Sequence, residues 1–565
     1  MNTFDEEGQK KKLDDILKEE EEELVKTLAE SKYGLPYVNL YNLGIDNEAL
    51  RAIPEDEARA LKVAPFKLFG KNIYIGVRTP DDNLFVSLKE LMEGKNLVPT
   101  FYMMSQASLQ KVWNRYQEIS MAESSKVGGI DISGEVLRDT AKKINHIQDI
   151  EKLVNEALEG NKIHKVSRLL EIILAGAIAV KASDVHIEPE KEKARLRIRL
   201  DGVLQDISFF GLDVYKLLNS RIKLLSGMKL TTKIAQDGRF NIMEGGEEIN
   251  IRTSLIPGAY GESMVMRILD PKSIQVNFED LGIEPYLFDI VKTEIAKPNG
   301  FILVTGPTGS GKTTTLYAFL RKIYSTEINI ITIEDPVEYH LEGITQTQIN
   351  LEKGYTFPEG LHSALRQDPD VIMVGEIRDG DTAEIAVQSS LTGHMVFSTL
   401  HTNNAAGVIP RLIDLGVNPK ILVSALSISL AQRLVRKLCK YCKKEYSPNE
   451  KESMLIKLIL DGMKSEGKDF SKYAIKSDTE FKIFAPIGCD KCNNLGYSGR
   501  IGIFEAIKTD AEIEKIMPEN PSEHEIKKIA AKQGILSMRQ DGILKVLSGL
   551  TSLEEIQSVV DLIEE

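Results

Sequence analysis

Long apolar runs are missing from this chain of 565 residues. No hydrophobic stretch approaches the ~18 residues that a membrane span needs, so a helical membrane protein is not expected. The opening residues, Met1-Asn2-Thr3-Phe4-Asp5-Glu6-Glu7, are acidic where a secretory signal is basic and then apolar, and this points to the cytoplasm. Positive charge is in short supply: 71 Lys and Arg stand against 84 Asp and Glu, a net charge of −13. A surface that holds nucleic acid by bulk electrostatics is therefore not expected, and protein is the better partner class. Cysteine is scarce, with four residues in all. What is plentiful is core material, since 42% hydrophobic residues over this length suit roughly three or four globular domains.

The most informative segment is Gly306-Pro307-Thr308-Gly309-Ser310-Gly311-Lys312-Thr313, a complete G-x-x-x-x-G-K-[ST] phosphate loop. It directly follows the apolar run Phe301-Ile302-Leu303-Val304 and leads into the helix-compatible stretch Thr314 to Leu320. In this setting the glycines let backbone N–H groups turn inward around phosphate oxygens. Lys312 supplies a point charge, Thr313 offers a hydroxyl to Mg²⁺, and the positive end of the helix faces the same phosphates. Nucleotide binding is the expectation.

Around this segment the chain divides by composition. From Tyr33 to about Gln117, short strand and helix signals alternate between turns at Gly34-Leu35-Pro36, Gly70-Lys71-Asn72 and Thr79-Pro80-Asp81-Asp82, as in one small α/β domain. Ahead of it, Leu13 to Leu28 has helical apolar spacing interrupted by Glu19 to Glu23, read as a solvated helix face. The run Ser120 to Gly129 is small, polar and aperiodic, which suits a linker. A second unit opens near Ile150 with a long apolar helix and contains Ala194-Arg195-Leu196-Arg197-Ile198-Arg199-Leu200, a half-buried strand with its arginines on one face, before the turn Asp201-Gly202. From about Leu281 onward strands and helices alternate as in a largely parallel sheet.

Three polar clusters follow strand-like runs in that last unit: Glu334-Asp335-Pro336-Val337-Glu338, Gly375-Glu376, and His394 with His401. Strand ends of an open α/β sheet are where its ligands bind, so these side chains are expected to converge on the phosphates. Phosphoryl hydrolysis uses a carboxylate to orient water, another to hold the Mg²⁺ shell, and positive charge on the group in flight. A lone histidine is more often a core or surface residue than a functional one.

Ile333-Glu334-Asp335-Pro336, Leu365-Arg366-Gln367-Asp368-Pro369-Asp370, Val374-Gly375-Glu376-Ile377-Arg378-Asp379 and Leu391-Thr392-Gly393-His394 resemble the signatures of the secretion ATPases, the motors of type II secretion and type IV pilus assembly. The resemblance covers almost the whole chain. It implies an α/β, multi-domain fold: a RecA-like P-loop ATPase core with a PAS-like α+β second domain, a small N-terminal α/β domain and a four-cysteine zinc module. It also implies an ATP hydrolase with ATP and Mg²⁺ as ligands, assembled as a homohexamer. Such a motor works on an inner-membrane platform protein and is peripheral to the cytoplasmic membrane only through its partners. Pilus assembly is the leading expectation, type II secretion the alternative, and a DNA-uptake or conjugation motor a more distant one.

Residue by residue, the resemblance makes Glu334 the water-activating carboxylate, Glu376 the acid near Mg²⁺, His394 and His401 sensors of the γ-phosphate, and Arg366 a further arginine at the site. Ala182-Ser183-Asp184-Val185-His186, Gln236-Asp237-Gly238-Arg239 and Gly261-Glu262-Ser263 carry it into the second unit. There Arg252 and Arg267 match arginines expected to complete the nucleotide site of a neighbouring subunit. His362 stands where relatives have arginine. The implied division is an N-terminal docking domain over 1–118, a linker over 119–148, the PAS-like domain over 149–275 and the ATPase domain over 281–565, with a zinc module at 435–505 and C-terminal helices at 506–565. No Arg-Leu-Gly motif of the kind that binds cyclic di-GMP in some relatives opens the chain, so that ligand is not expected.

All four cysteines fall in two C-x-x-C pairs, Cys439/Cys442 and Cys489/Cys492, separated by about 46 residues. Two such pairs make a Cys₄ zinc site, although the spacing exceeds that of an ordinary zinc ribbon. Disulfides are the competing reading and are disfavoured in the cytosol. Relatives with this module drive extension rather than retraction.

Overall fold

A computed structural model of the chain describes residues 21–563 except 41–44, 96, 124–133, 160–161, 231–233, 245–246, 271–274 and 469–480. The N-terminal domain carries β1 (Val63–Phe69), β2 (Asn72–Val77) and β3 (Val98–Met103) in one sheet, with β1–β2 antiparallel and β2–β3 parallel. Ile73, Ile75 and Val77 alternate into its core with Leu88 and Met92 of the helix Asp82–Glu93. Part of the acidic run before this domain is not merely solvated. The Glu22 carboxylate accepts from Tyr37, Ser105 and Ser108, while Val25 and Ala29 pack on Met103. Leu13, Ile16 and Leu17 lie outside the described residues.

The second domain is a six-stranded antiparallel sheet of β4 (Asp184–Pro189), β5 (Lys193–Leu200), β6 (Val203–Gly211), β7 (Gln236–Glu244), β8 (Glu247–Gly258) and β9 (Gly261–Leu269), ordered β6-β5-β4-β9-β8-β7. On β5 the alternation behaves as the sequence implies. Ala194, Leu196, Ile198 and Leu200 are buried, whereas Arg195 pairs with Asp206, Arg197 with Glu188 and Arg199 with Asp184. Asp201 and Gly202 both take positive φ, 47° and 90°, and close the β5–β6 hairpin. Residues 119–148 are not one linker. The helix Gln106–Glu123 enters the segment, and the helix Gly134–Ala141 buries Leu137 in the second domain's core, so that domain starts by Gly134. Polar composition concealed these helices because each needs only a narrow apolar stripe.

In the third domain the first strand is β10 (Gly300–Thr305), followed by β11 (Ile330–Glu334), β12 (Thr345–Gln348), β13 (Val371–Val374), β14 (Met395–Leu400) and β15 (Leu426–Leu438). After the small hairpin β16 (Lys444–Tyr446) and β17 (Ile483–Ala485), β18 (Tyr497–Lys508) returns to the sheet. The order is β12-β11-β13-β14-β10-β15-β18, with only the β15–β18 pair antiparallel. All six residues of β10 are buried, as a parallel strand covered on both faces requires. Parity sorts β11: Ile331 and Ile333 enter one core layer, and Ile330 enters the other, beside the helix Lys312–Ile323. Glu334 thus projects toward that helix.

Candidate functional site

The phosphate loop joins β10 to the helix Lys312–Ile323. Gly306 and Gly311 sit at φ 146° and 90°, and a Cβ on either would stand 2.5 Å from the Gln432 carbonyl oxygen or 2.9 Å from its side-chain nitrogen. Conformation and space therefore both demand glycine. Gln432 also accepts from Thr315 at 2.7 Å, which pins β15 to the loop's helix. Gly311 starts that helix without a side-chain cap, so its first N–H groups have no capping partner and face the loop. Ser310 Oγ is buried without a hydrogen-bond partner. The Lys312 ammonium donates to the carbonyls of Gly306 (2.8 Å) and Pro307 (3.3 Å), two acceptors that a phosphate could replace. Burial pushes its pKa down, and the Glu376 carboxylate pushes the other way. These features fit an anion at the helix terminus.

Glu376 stands two residues beyond β13 and His401 one beyond β14, and the two meet at 3.2 Å. Ser398 donates to the Val374 carbonyl (2.7 Å) and Thr399 to that of Gly375 (2.8 Å), which locks the two strand ends together. Arg378 pairs with Glu376 and lies 3.8 Å from Asp335. Asp379, the last residue of the same motif, serves the fold instead. It caps the helix Gly380–Leu391 through Thr382 N–H at 2.8 Å, a contact worth about 1 kcal/mol.

Glu334 lies at the end of β11 and is 2% exposed. Its carboxylate accepts from Tyr317, from Thr332 at 2.5 Å and from Gln346 at 3.2 Å. Burial pushes its pKa up, against the pull of these donors. These three donors come from β11, β12 and the helix Lys312–Ile323, so the carboxylate is held against the helix that the phosphate loop starts.

Two expected site residues fall at the other edge of the sheet. His394 precedes β14, opposite the strand end that carries His401, and bonds Ser389 O (3.0 Å) and Thr392 Oγ1 (3.3 Å). Six strand residues lie between the histidines, so at ~3.3 Å per residue step they stand about 23 Å apart. Arg366 ends the helix Phe357–Leu365 on the approach to β13, exposed and bonded to Ser363 Oγ at 3.0 Å. Neither reaches the phosphate loop of its own chain, and His362, also exposed, lies on the same helix.

Arg252 and Arg267 are directly opposed on β8 and β9. Residues so paired share a face, and two like charges there cost energy unless anions offset them. Asp184 lies 3.0 Å from Arg267, and Glu338 lies 2.9 Å from Arg252, which also donates to the Val337 carbonyl. Val337 and Glu338 belong to the loop after β11 of the same chain. Arg252 thus contacts the ATPase domain of its own chain, whereas Arg267 pairs with Asp184 within the second domain.

The four cysteines are free thiols whose Sγ atoms lie within 4.8 Å of one another. The separations Cys439–Cys489 (3.9 Å), Cys442–Cys492 (3.8 Å) and Cys489–Cys492 (3.8 Å) suit a tetrahedron with metal–sulfur bonds of about 2.3 Å, whose edges are about 3.8 Å. They are far beyond the ~2 Å of a disulfide. Backbone N–H groups of Cys489 and Gly496 also donate to Cys492 Sγ, each at 3.3 Å, as suits a thiolate. The set could hold one zinc ion.

Tyr317, Gln346, Gln432 and Arg433 carry no signal in the sequence that marks them for the site. Arg433 donates to Asn403 O and reaches the rear of the loop, but nothing distinguishes it within the 13-residue strand β15.

Residues 159–558 match the family model described as "Type II/IV secretion system protein". The type IV pilus assembly ATPase PilB of Myxococcus xanthus is 35% identical over 539 residues, covering 95% of this chain and 91% of its own. The type II secretion system protein E of Pseudomonas aeruginosa is 42% identical over 430 residues, covering 76% and 81%. Among solved structures, the Legionella pneumophila ATPase DotB aligns at a TM-score of 0.50 and 19% identity over 69% of this chain and 94% of its own, a likeness of fold. These matches show that the chain belongs to the type II/IV secretion system protein family and is one of its ATPases.

Proposed function

We propose that this ATPase powers assembly of a type IV pilus or pilus-like filament. The observation that carries the reading is length: the alignment with the Myxococcus pilus ATPase spans 95% of the chain, whereas that with the secretion protein E spans 76%. The higher identity of the latter, 42%, keeps type II secretion as the second reading. Deleting the gene should abolish surface filaments, and only a copy with an intact Lys312 should restore them. Persistent filaments with lost protein secretion would instead favour the second reading.

At the site, the loop N–H groups and Lys312 would bind the ATP phosphates, and Thr313 and Glu376 would hold Mg²⁺. When bound, Mg²⁺ offsets charge on the transferring group. Glu334 orients the attacking water, and His401, tethered to Glu376, acts as a sensor of the γ-phosphate. Arg252 and Arg267 close the site from the second domain, and we assign both to the chain's own nucleotide because Arg252 contacts Val337 and Glu338 in the loop that follows Glu334. A hexamer moving an inner-membrane platform protein, from the cytoplasmic side, is the working assembly; among the described residues no helix is long and apolar enough to cross a membrane. Arg267→Ala and Lys312→Ala should each be inactive, and rings mixed from the two should stay inactive. Recovered hydrolysis in verified mixed rings would show that the arginine acts across subunits.

We further assign one zinc ion per chain to Cys439, Cys442, Cys489 and Cys492. The cluster clamps the end of β15 to the approach to β18, where Cys439 N–H already donates to Gly496 O at 2.9 Å. Cys489→Ser should lower the melting temperature by ~5 °C or more while ADP affinity stays unchanged, because binding of a structural metal adds directly to folding free energy. Purified protein without zinc by elemental analysis would contradict the assignment.

A further inference from the structure

Tyr317 lies five residues past Lys312 on the helix that the phosphate loop starts, and it is fully buried. A ring alone would satisfy that site, since it packs edge-on against Tyr339 with centroids 4.7 Å apart. Its hydroxyl nevertheless occupies the centre of a polar network. It donates to Glu334 and accepts from the Gln346 amide (3.3 Å) and from Glu338 N–H (3.4 Å). Gln346 also donates to Glu334 at 3.2 Å and to the Tyr339 carbonyl at 3.1 Å. Glu338, whose backbone meets Tyr317, is the residue whose carboxylate pairs with Arg252 at 2.9 Å. A continuous path therefore runs from the second domain through Arg252, Glu338 and Tyr317 to Glu334. It touches the helix that carries Lys312.

We propose that the Tyr317 hydroxyl is the positioning group for Glu334, holding its carboxylate in place and tying that hold to the loop that Arg252 grips. The inference rests on Glu334 being the carboxylate that orients water. Buried networks of this kind are energetically sensitive, because each lost donor leaves a charged group short of a partner in a dry environment. The groups facing Glu334 are Tyr317, Glu338 and Tyr339. Burial and Glu338 disfavour its charged form, and the Thr332, Tyr317 and Gln346 donors favour it. Burial and Glu334 itself push the Tyr317 phenol far up, so it remains a neutral donor.

The test is the pH profile of ATP hydrolysis by the full-length protein. Tyr317→Phe keeps the ring and removes one donor to the carboxylate, so the acid limb of kcat should move upward by about one pH unit. kcat near neutrality should fall about tenfold while KM for ATP stays within about twofold, since a group acting through Glu334 alters the reaction step more than binding. Incorporating 3-fluorotyrosine at 317 keeps the fold and strengthens the donor, and the limb should move downward. Opposite shifts support the proposal. Superimposable profiles for wild type, phenylalanine and fluorotyrosine, or losses that merely follow thermal stability, would overturn it. If the wild type itself turned over no ATP, the proposed function would fail first, so the two failures are distinguishable.

Discussion

Lys312→Ala is expected to abolish ATP hydrolysis, with turnover reduced at least ~10²-fold, and to leave the fold intact. Removing a charge aimed at the transferring phosphoryl group costs about 3 kcal/mol or more of barrier in a water-poor site. The fold should survive because the ammonium hydrogen-bonds loop carbonyls, those of Gly306 and Pro307, and ties no two elements together. Phosphate release and a melting curve on the same preparation check both halves. A rate equal to wild type would remove the loop from the chemistry, and a collapsed melting transition would make the lysine structural.

Glu334→Gln should separate binding from turnover. The amide keeps the shape and one oxygen, which can serve the Thr332 and Gln346 donors that share Oε1 in the wild type, yet it cannot take a proton, so hydrolysis should drop roughly 10²–10⁴-fold with ATP still bound. Stability should move the other way. The folded-state pKa of Glu334 is raised by burial, so the wild type loses stability as pH climbs through the ordinary carboxylate range toward the raised value. Glutamine has no such loss. The difference in melting temperature, variant minus wild type, should therefore be larger at pH 8 than at pH 4. Equal differences at both pH values would mean that the charged Glu334 carboxylate carries no penalty from its setting.

Much of this was legible in the chain. The phosphate loop could be located because glycine spacing and a flanking apolar run report local backbone geometry, and β10 with its helix appears where they require. The arginine-bearing face of β5 followed from a period of two. The two C-x-x-C pairs met as a compact cluster despite their long separation, because chemistry rather than local spacing identifies them. What escaped was set by register and parity. His394 and His401 share one motif-like stretch, but the strand β14 lies between them and sends them to opposite edges of the sheet. Arg366 is carried to the far edge because its helix ends where the chain turns back to enter β13. Tyr317 could not be distinguished from a core aromatic, since its importance lies in partners 17 to 29 residues away. Among the described residues, parts of the linker expected over 119–148 gave way to the helices that end at Glu123 and span Gly134–Ala141, because short amphipathic helices need little apolar sequence.

The central claim is that this phosphate loop and the acids beside it hydrolyse ATP, and single-turnover phosphate release tests it most directly. With the purified full-length protein in excess over Mg·ATP, nearly all bound nucleotide should be converted to ADP and phosphate. Addition of a chelator should stop the reaction, because the roles proposed for Thr313 and Glu376 run through the metal. Quantitative ATP binding with no phosphate released, under conditions where the protein remains folded and assembled, would contradict the claim and leave a nucleotide-binding scaffold in place of a motor.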